Sequence, residues 1–402
     1  MSIGNLIQQI IQGIWYPKQY AADAGGKPRV LRTTLFDGKI LNADDSYHWE
    51  NVGTGTGTWS GNKYNMSVTS GQYFIRQSKR FFPYFAGKSQ DVQETGDGFA
   101  PQANVVKRQG YFSSNAVAPY DSDKDGFWVE SGAGTITLNC ARLGTMTLNA
   151  LPITSWSGYH NLAEYQNVAN WDNFTVAESK FLWLGGAVLV WSIKTSRGFV
   201  EAHRFDYAGT AQDVMMSSPN QPVRYEIRST TGTGSYRYIC SEVATEGSIG
   251  EGGNGIAVYN ASSIACNSIG TIYALMGLKK QTAYRDTPIQ ISDISVANTA
   301  SSDAGIMLMI INPTLSAALT YANESRFQVA YATNQTITAG TGRVIAAMPI
   351  TTAGGNTELI AKNYLGWLAS TITNTSYDEF VLAYLSTTVN QSVNGIINLK
   401  EY

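Results

Sequence analysis

The run Val223-Arg-Tyr-Glu-Ile-Arg228 alternates apolar and charged residues one for one, a period that suits a strand with two differently covered faces and no helix. A near-repeat carries the same signal twice: Gly134-Thr-Ile-Thr-Leu-Asn-Cys140 and Gly144-Thr-Met-Thr-Leu-Asn-Ala150. It predicts two adjacent meander strands, with Ile136, Leu138 and Cys140, then Met146, Leu148 and Ala150, on one face. Residues 181–193 are almost continuously apolar and are followed, after 194–198, by 199–205, which together read as a central hairpin covered on both sides. A buried helix is the alternative for 181–193, but its Val, Ile, Trp and Gly pair favour strands. Asp37-Gly38 predicts a hairpin turn between 31–36 and 39–41. Further strands are expected at 305–311, 326–332, 344–349, 380–385 and 395–402.

Charge explains why helices are not expected to compete. Only 14% of residues are charged, and 39 are glycine. Long helices need Glu, Lys and Arg on their solvent faces, and the chain cannot supply them, so helix is expected to stay below about 15% of residues. With 402 residues the chain exceeds the usual size of one core. The expected architecture is all-β: a large antiparallel β-sandwich, jelly-roll-like, followed by a smaller C-terminal β-sandwich. The expected divisions are an N-terminal arm at 1–30, a first domain at 31–286 and a second at 287–402. The last boundary is placed by a polar segment at 279–286, although 246–255, with five glycines, is also loose.

The arm concentrates Leu6, Ile7, Ile10, Ile11, Ile14 and Trp15 in one short stretch. Broken by Gln8, Gln9 and Gln12, it lacks the form of a signal peptide or a membrane span, and it is expected to dock on a partner subunit. A strand folded back on its own domain is the alternative.

Functional signals are sparse. A formal net charge of −2 with no basic stripe argues against electrostatic nucleic-acid binding. Cys140, Cys240 and Cys266, odd in number and widely spaced, read as buried thiols. His48, His160 and His203 stand in no nucleophile motif. Asp121-Ser-Asp123-Lys-Asp125-Gly126 resembles the first half of a calcium loop, but Gly132 stands where a closing Glu is needed, so a polar turn without a tightly held ion is expected. Arg76-Gln-Ser-Lys-Arg80 with Phe81-Phe-Pro-Tyr-Phe85 interleaves bases and rings. Arg76 and Arg80 are expected to be structural partners within the first domain. No cofactor, metal or catalytic residue is expected.

Several of these pieces, in order, resemble a family of virion-associated structural β proteins of tailed bacteriophages, with relatives in large DNA viruses. They are Arg76-Gln-Ser-Lys-Arg80 with Phe82-Pro-Tyr and Gly87-Lys-Ser-Gln90, Phe181-Leu-Trp-Leu-Gly185, His203-Arg-Phe205, Met216-Ser-Ser-Pro-Asn220 with Pro222-Val-Arg-Tyr-Glu-Ile227, and Ile239-Cys240-Ser241. They span roughly 70–245. Residues 186–191 are more apolar than the charged stretch of the family pattern. The resemblance implies a particle component made in the host cytoplasm, in capsid, neck or tail, that binds other virion proteins and copies of itself. Two other readings stay open: a receptor- or glycan-binding module using Tyr- and Trp-rich loops, and a polysaccharide-cleaving enzyme on a sandwich scaffold.

Overall fold

The computed structural model describes residues 32–158, 171–173, 175–184, 188–195, 198–210, 213–247, 252–298, 304–331, 335–350, 355–359 (backbone), 367–375 and 377–402. The arm residues Leu6, Ile7, Ile10, Ile11, Ile14 and Trp15 lie outside them. Among the described residues the regular elements are strands, apart from two three-residue 3-10 turns at Ile153–Ser155 and Thr282–Tyr284.

The chain divides into two compact units, Met1–Ser78 with Tyr84–Glu251, and Lys79–Pro83 with Gly252–Tyr402. The boundary expected at 286/287 therefore moves to 251/252, within the glycine-rich stretch of the sequence. The polar segment that suggested it is the end of the strand Ile272–Lys280 and the 3-10 turn after it. That strand pairs with Phe380–Ser386 and Phe327–Tyr331, deep in the second unit. Lys280, polar in sequence, is buried there.

The first unit is an antiparallel β-sandwich. Its eight-stranded sheet runs Gly198–Asp206, Val188–Thr195, Thr175–Leu182, Gln90–Asp97, Gly234–Glu246, Lys63–Val68, Thr56–Ser60, with Arg32–Lys39 also on Gly234–Glu246. The seven-stranded sheet runs Thr145–Pro152, Thr135–Arg142, Asp125–Gly132, Val105–Ser113, Val223–Ser229, Tyr73–Ser78, Trp49–Gly53. Aromatic rings close the space between them. Tyr225 lies 4.5 Å from Tyr238 and 6.1 Å from Trp49, and Phe181 lies 5.4 Å from Tyr111 and 5.3 Å from Phe127. Each such ring withdrawn from water contributes roughly 1.5–3 kcal/mol.

Alternation sets which side chains meet there. Tyr225 and Ile227 face the core, while Arg224, Glu226 and Arg228 face the other way, beneath the segment that connects Ser113 to Asp125. The near-repeat does form an adjacent hairpin, Thr135–Arg142 with Thr145–Pro152. Only its first copy is core: Ile136, Leu138 and Cys140 are buried, whereas Met146 and Ala150 are exposed on the sheet's last strand. Register shifts after Met146 and Leu148 break the parity that sequence spacing implies.

Asp37-Gly38 does not turn. Both residues continue Arg32–Lys39 along the long strand Gly234–Glu246, with Asp37 opposite Glu242 and Gly38 opposite Ser241. A full ladder outweighs a two-residue turn preference. Gly38 also has a packing reason: a Cβ there would come within 2.7 Å of the Phe36 ring.

The second unit is a smaller sandwich. A five-stranded sheet runs Asn254–Tyr259, Gln391–Glu401, Ile289–Asn298, Gly355–Leu359, with Ile264–Cys266 also on Gln391–Glu401. Its seven-stranded partner runs Ala322–Glu324, Phe327–Tyr331, Ile272–Lys280, Phe380–Ser386, Gly305–Ile311, Arg343–Ile350, with Thr336–Ile337 on Ile272–Lys280. The sheets approach closely: a Cβ at Gly395 would stand 2.8 Å from Leu382 and 3.3 Å from Leu275.

Candidate functional site

A cleft of about 720 Å³ opens on one flank of the second unit, where Asn254–Tyr259 ends one sheet and Ala322–Glu324 ends the other. Its geometry follows from strand register. Tyr331 lies opposite Met276, and Glu324 opposite Phe327, so both share the face that carries the buried Phe327, Val329 and Leu278. At the sheet's edge that face has no opposing strand among the described residues. Tyr331 is 50% exposed, and from the other sheet Tyr259 is 61% exposed. Tyr259 and Tyr331, on edge strands of the two sheets, line one cleft together with the buried Val258 and Ile264, which gives it apolar walls.

The rim is polar and fixed. Asn254–Tyr259 and Ile264–Cys266 pair with the same strand, so the intervening 260–263 bulges outward as a short loop. Asn260, buried, accepts a hydrogen bond from the Gly395 N–H and donates to the Ser262 carbonyl at 2.9 Å. Ser263 and Ser392 hydroxyls meet at 2.6 Å. Ser262 stays exposed at the rim. Burial, together with the Glu324 carboxylate and Tyr259 nearby, pushes the Tyr331 phenol up, so it keeps its proton and can donate. The cleft thus combines ring faces, hydroxyls and one carboxylate.

The first unit holds a denser set of charges with a different role. Arg108 donates to Glu226, to Glu130 at 2.6 Å and to Asp121 at 2.7 Å. Arg224 forks onto Glu226 at 2.7 and 3.0 Å, and Arg228 reaches the same carboxylate. Burial alone would raise the Glu226 carboxyl, but Arg224, Arg108 and Arg228 together hold it well below the usual carboxylate range. A glycoside-cleaving acid needs the opposite perturbation. Arg224 and Arg228 also donate to the Tyr120 carbonyl, and Arg228 to that of Pro119, which fastens this segment across the sheet. The carboxylates here hold structure together.

The remaining sequence candidates separate. Asp121 is engaged by Arg108 and Lys124, while Asp125 accepts from the Ser217 and Ser218 N–H groups, the Ser217 hydroxyl and Gln221, so the two do not share a site. Asp123 is exposed with φ 52°. No group of three His, Cys, Asp or Glu suited to a metal occurs among the described residues.

Arg76 is fully buried, its guanidinium 3.8 Å from the Tyr64 ring centroid and bonded to Asp44 at 2.7 Å. Arg80 is buried too, but within Lys79–Pro83 it belongs to the second unit, so the expected pairing within one domain is corrected. Intervening residues pass from one compact unit to the other, which sequence spacing does not reveal. His203 accepts a hydrogen bond from the Ser157 N–H, and His48 is paired with Asp45. His160 lies outside the described residues. Cys140 and Cys266 are buried, with thiols pushed up to about 12 by burial, and Cys240 is half-buried.

Sequence reasoning missed Tyr259, Glu324 and Tyr331. Parity in 256–259 could place Tyr259 outward, but nothing local pairs it with a tyrosine from another sheet.

The two units are thus β-sandwiches, the smaller with an open flank. No protein-family model and no curated protein matches the sequence. Solved structures with a similar arrangement include the carbohydrate recognition domain of Emp47p, at 9% identity over 54% of this chain and 97% of that one, with a TM-score of 0.35. A legume lectin-like domain from Entamoeba histolytica matches at 11% over 54% and 99%, TM-score 0.34. A Bacillus licheniformis β-glucanase matches at 10% over 53% and 98%, TM-score 0.34. Similarity of this degree carries neither a family nor a function.

Proposed function

We propose that the chain is a non-catalytic binding protein of a virus particle whose second unit holds a glycan in the Tyr259–Tyr331 cleft. The cleft carries the glycan part of this reading. Two large aromatic rings exposed in the lining of one cleft are unusual, and a sugar matches them: its C–H faces lie on rings while its hydroxyls meet Ser262 and Glu324. The virion part is supported by the sequence resemblance across 70–245, where the other virion proteins and further copies of the chain are the partners it implies.

Tyr259→Ala and Tyr331→Ala test the cleft. Both side chains are at least half exposed, so each variant should keep the wild-type melting temperature. On a glycan array each should lose tenfold or more of the signal, the scale of about 1.4 kcal/mol per decade. An unchanged array pattern in both variants would sink the glycan reading. Mass spectrometry of gradient-purified particles tests the other half, since absence of the chain from intact particles would exclude a virion role.

A further inference from the structure

We infer that the cleft selects its sugar by charge, taking neutral or amino-bearing glycans and rejecting carboxylated or sulfated ones. The inference rests on the glycan reading above and adds the ligand's chemical class. Of the eleven described residues that line the cleft, Glu324 is the only charged one, and no described Lys, Arg or His joins it. Its carboxylate has no hydrogen bond or ion pair among the described residues, although its backbone carbonyl accepts from Gln281.

Among the described residues, the neighbouring charges stand outside the lining. The Glu401 carboxylate, on the strand beside Asn254–Tyr259, is buried and already accepts from the Ser325 hydroxyl and the Arg326 N–H at 2.9 Å each. Arg326 does not line the cleft, and Lys400, opposite Gly255, shares the face of Tyr259 but stands four residues further along the strand, outside the lining. Anions are held most strongly by guanidinium or ammonium groups, or by a helix N-terminus, and the described lining offers none of these. An unpaired carboxylate in the same lining as two tyrosines is instead an acceptor for vicinal hydroxyls and an attractor for an ammonium.

The experiment is an array carrying one oligosaccharide backbone in three forms, hydroxylated, amino-substituted and carboxylated, probed with the full chain at low and high salt. Wild type should bind the carboxylated form at least tenfold more weakly than the hydroxylated one, with the amino form strongest and most reduced by salt. Glu324→Gln should narrow these differences severalfold, and Glu324→Lys should reverse the order of amino and carboxylated forms. Equal or stronger binding of the carboxylated form, abolished by Tyr259→Ala, would overturn charge selection while keeping the glycan cleft. Binding of no form, or binding indifferent to Tyr259→Ala, would overturn the glycan reading and this inference with it.

Discussion

Glu94 is the carboxylate placed most against its own charge. It sits mid-strand in Gln90–Asp97, 3% exposed, near Tyr225 of the opposite sheet and Tyr236 of the neighbouring strand in its own. The Gly110 N–H donates to it, but its Oε1 has no partner among the described residues. Burial pushes the carboxyl up to about 8, so it is protonated in the folded chain at neutral pH. Its contribution to stability is full below the unfolded value near 4.5 and is lost as pH rises through about 8. The first unit should therefore melt lower at pH 9 than at pH 5. Glu94→Gln, which keeps shape and stays neutral, should flatten that fall, raising the melting temperature at pH 9 by several degrees, on a scale of about 2–4 °C per kcal/mol. Scanning calorimetry of both proteins across this range decides it, and parallel pH curves would refute the assignment.

Among elements, Val223–Ser229 carries the most information per residue, because its two faces do different things. The alternation read from sequence predicted a strand, and the strand is there with the expected parity. The sequence could not tell that the charged face is covered. Burial of Arg224 and Glu226 at 0% exposure depends on the connection after Ser113, which approaches from elsewhere in the chain. Long-range covering is what local pattern omits, and the same omission hid the cleft, whose tyrosines stand on different sheets. Asp37-Gly38 failed for a related reason: its turn preference was overridden by a partner strand far along the sequence. By contrast 305–311 was legible as the strand Gly305–Ile311, since its apolar run is closed at its ends by local breakers. Glu226 is the keystone of the covered face, so Glu226→Ala should leave three guanidinium groups facing one another and cost about 3–5 kcal/mol. Urea denaturation should show a lowered midpoint for the first unit, and a loss under 1 kcal/mol would show that the arginines are held by other groups.

At the scale of the molecule, the path of the chain matters more than the number of strands. Tyr73–Ser78 belongs to the first sandwich, the next residues Lys79–Pro83 belong to the second, and Tyr84 returns to the first. Within the second unit this short segment is held by specific contacts. The Lys79 carbonyl accepts from the Ser370 N–H at 2.8 Å, Phe81 and Phe82 are 3% and 2% exposed, and the Lys280 ammonium and Arg285 guanidinium lie 5.7 and 5.6 Å from the Phe81 ring. Burial brings the Lys280 amine down to about 7, and it donates to the Arg285 carbonyl at 2.6 Å. Phe81 is thus a core residue of a unit whose other residues begin at Gly252. Phe81→Ala should cost about 3–5 kcal/mol, as a large aromatic removed from a packed core does. The loss should fall on the second unit, although position 81 lies among strands of the first. Hydrogen exchange of the full chain can separate the two outcomes. Protection should drop across Ile272–Lys280 and Phe380–Ser386 and persist across Tyr73–Ser78 and Val223–Ser229. Loss centred on Tyr73–Ser78 instead would return this segment to the first unit and restore the simpler division of the chain.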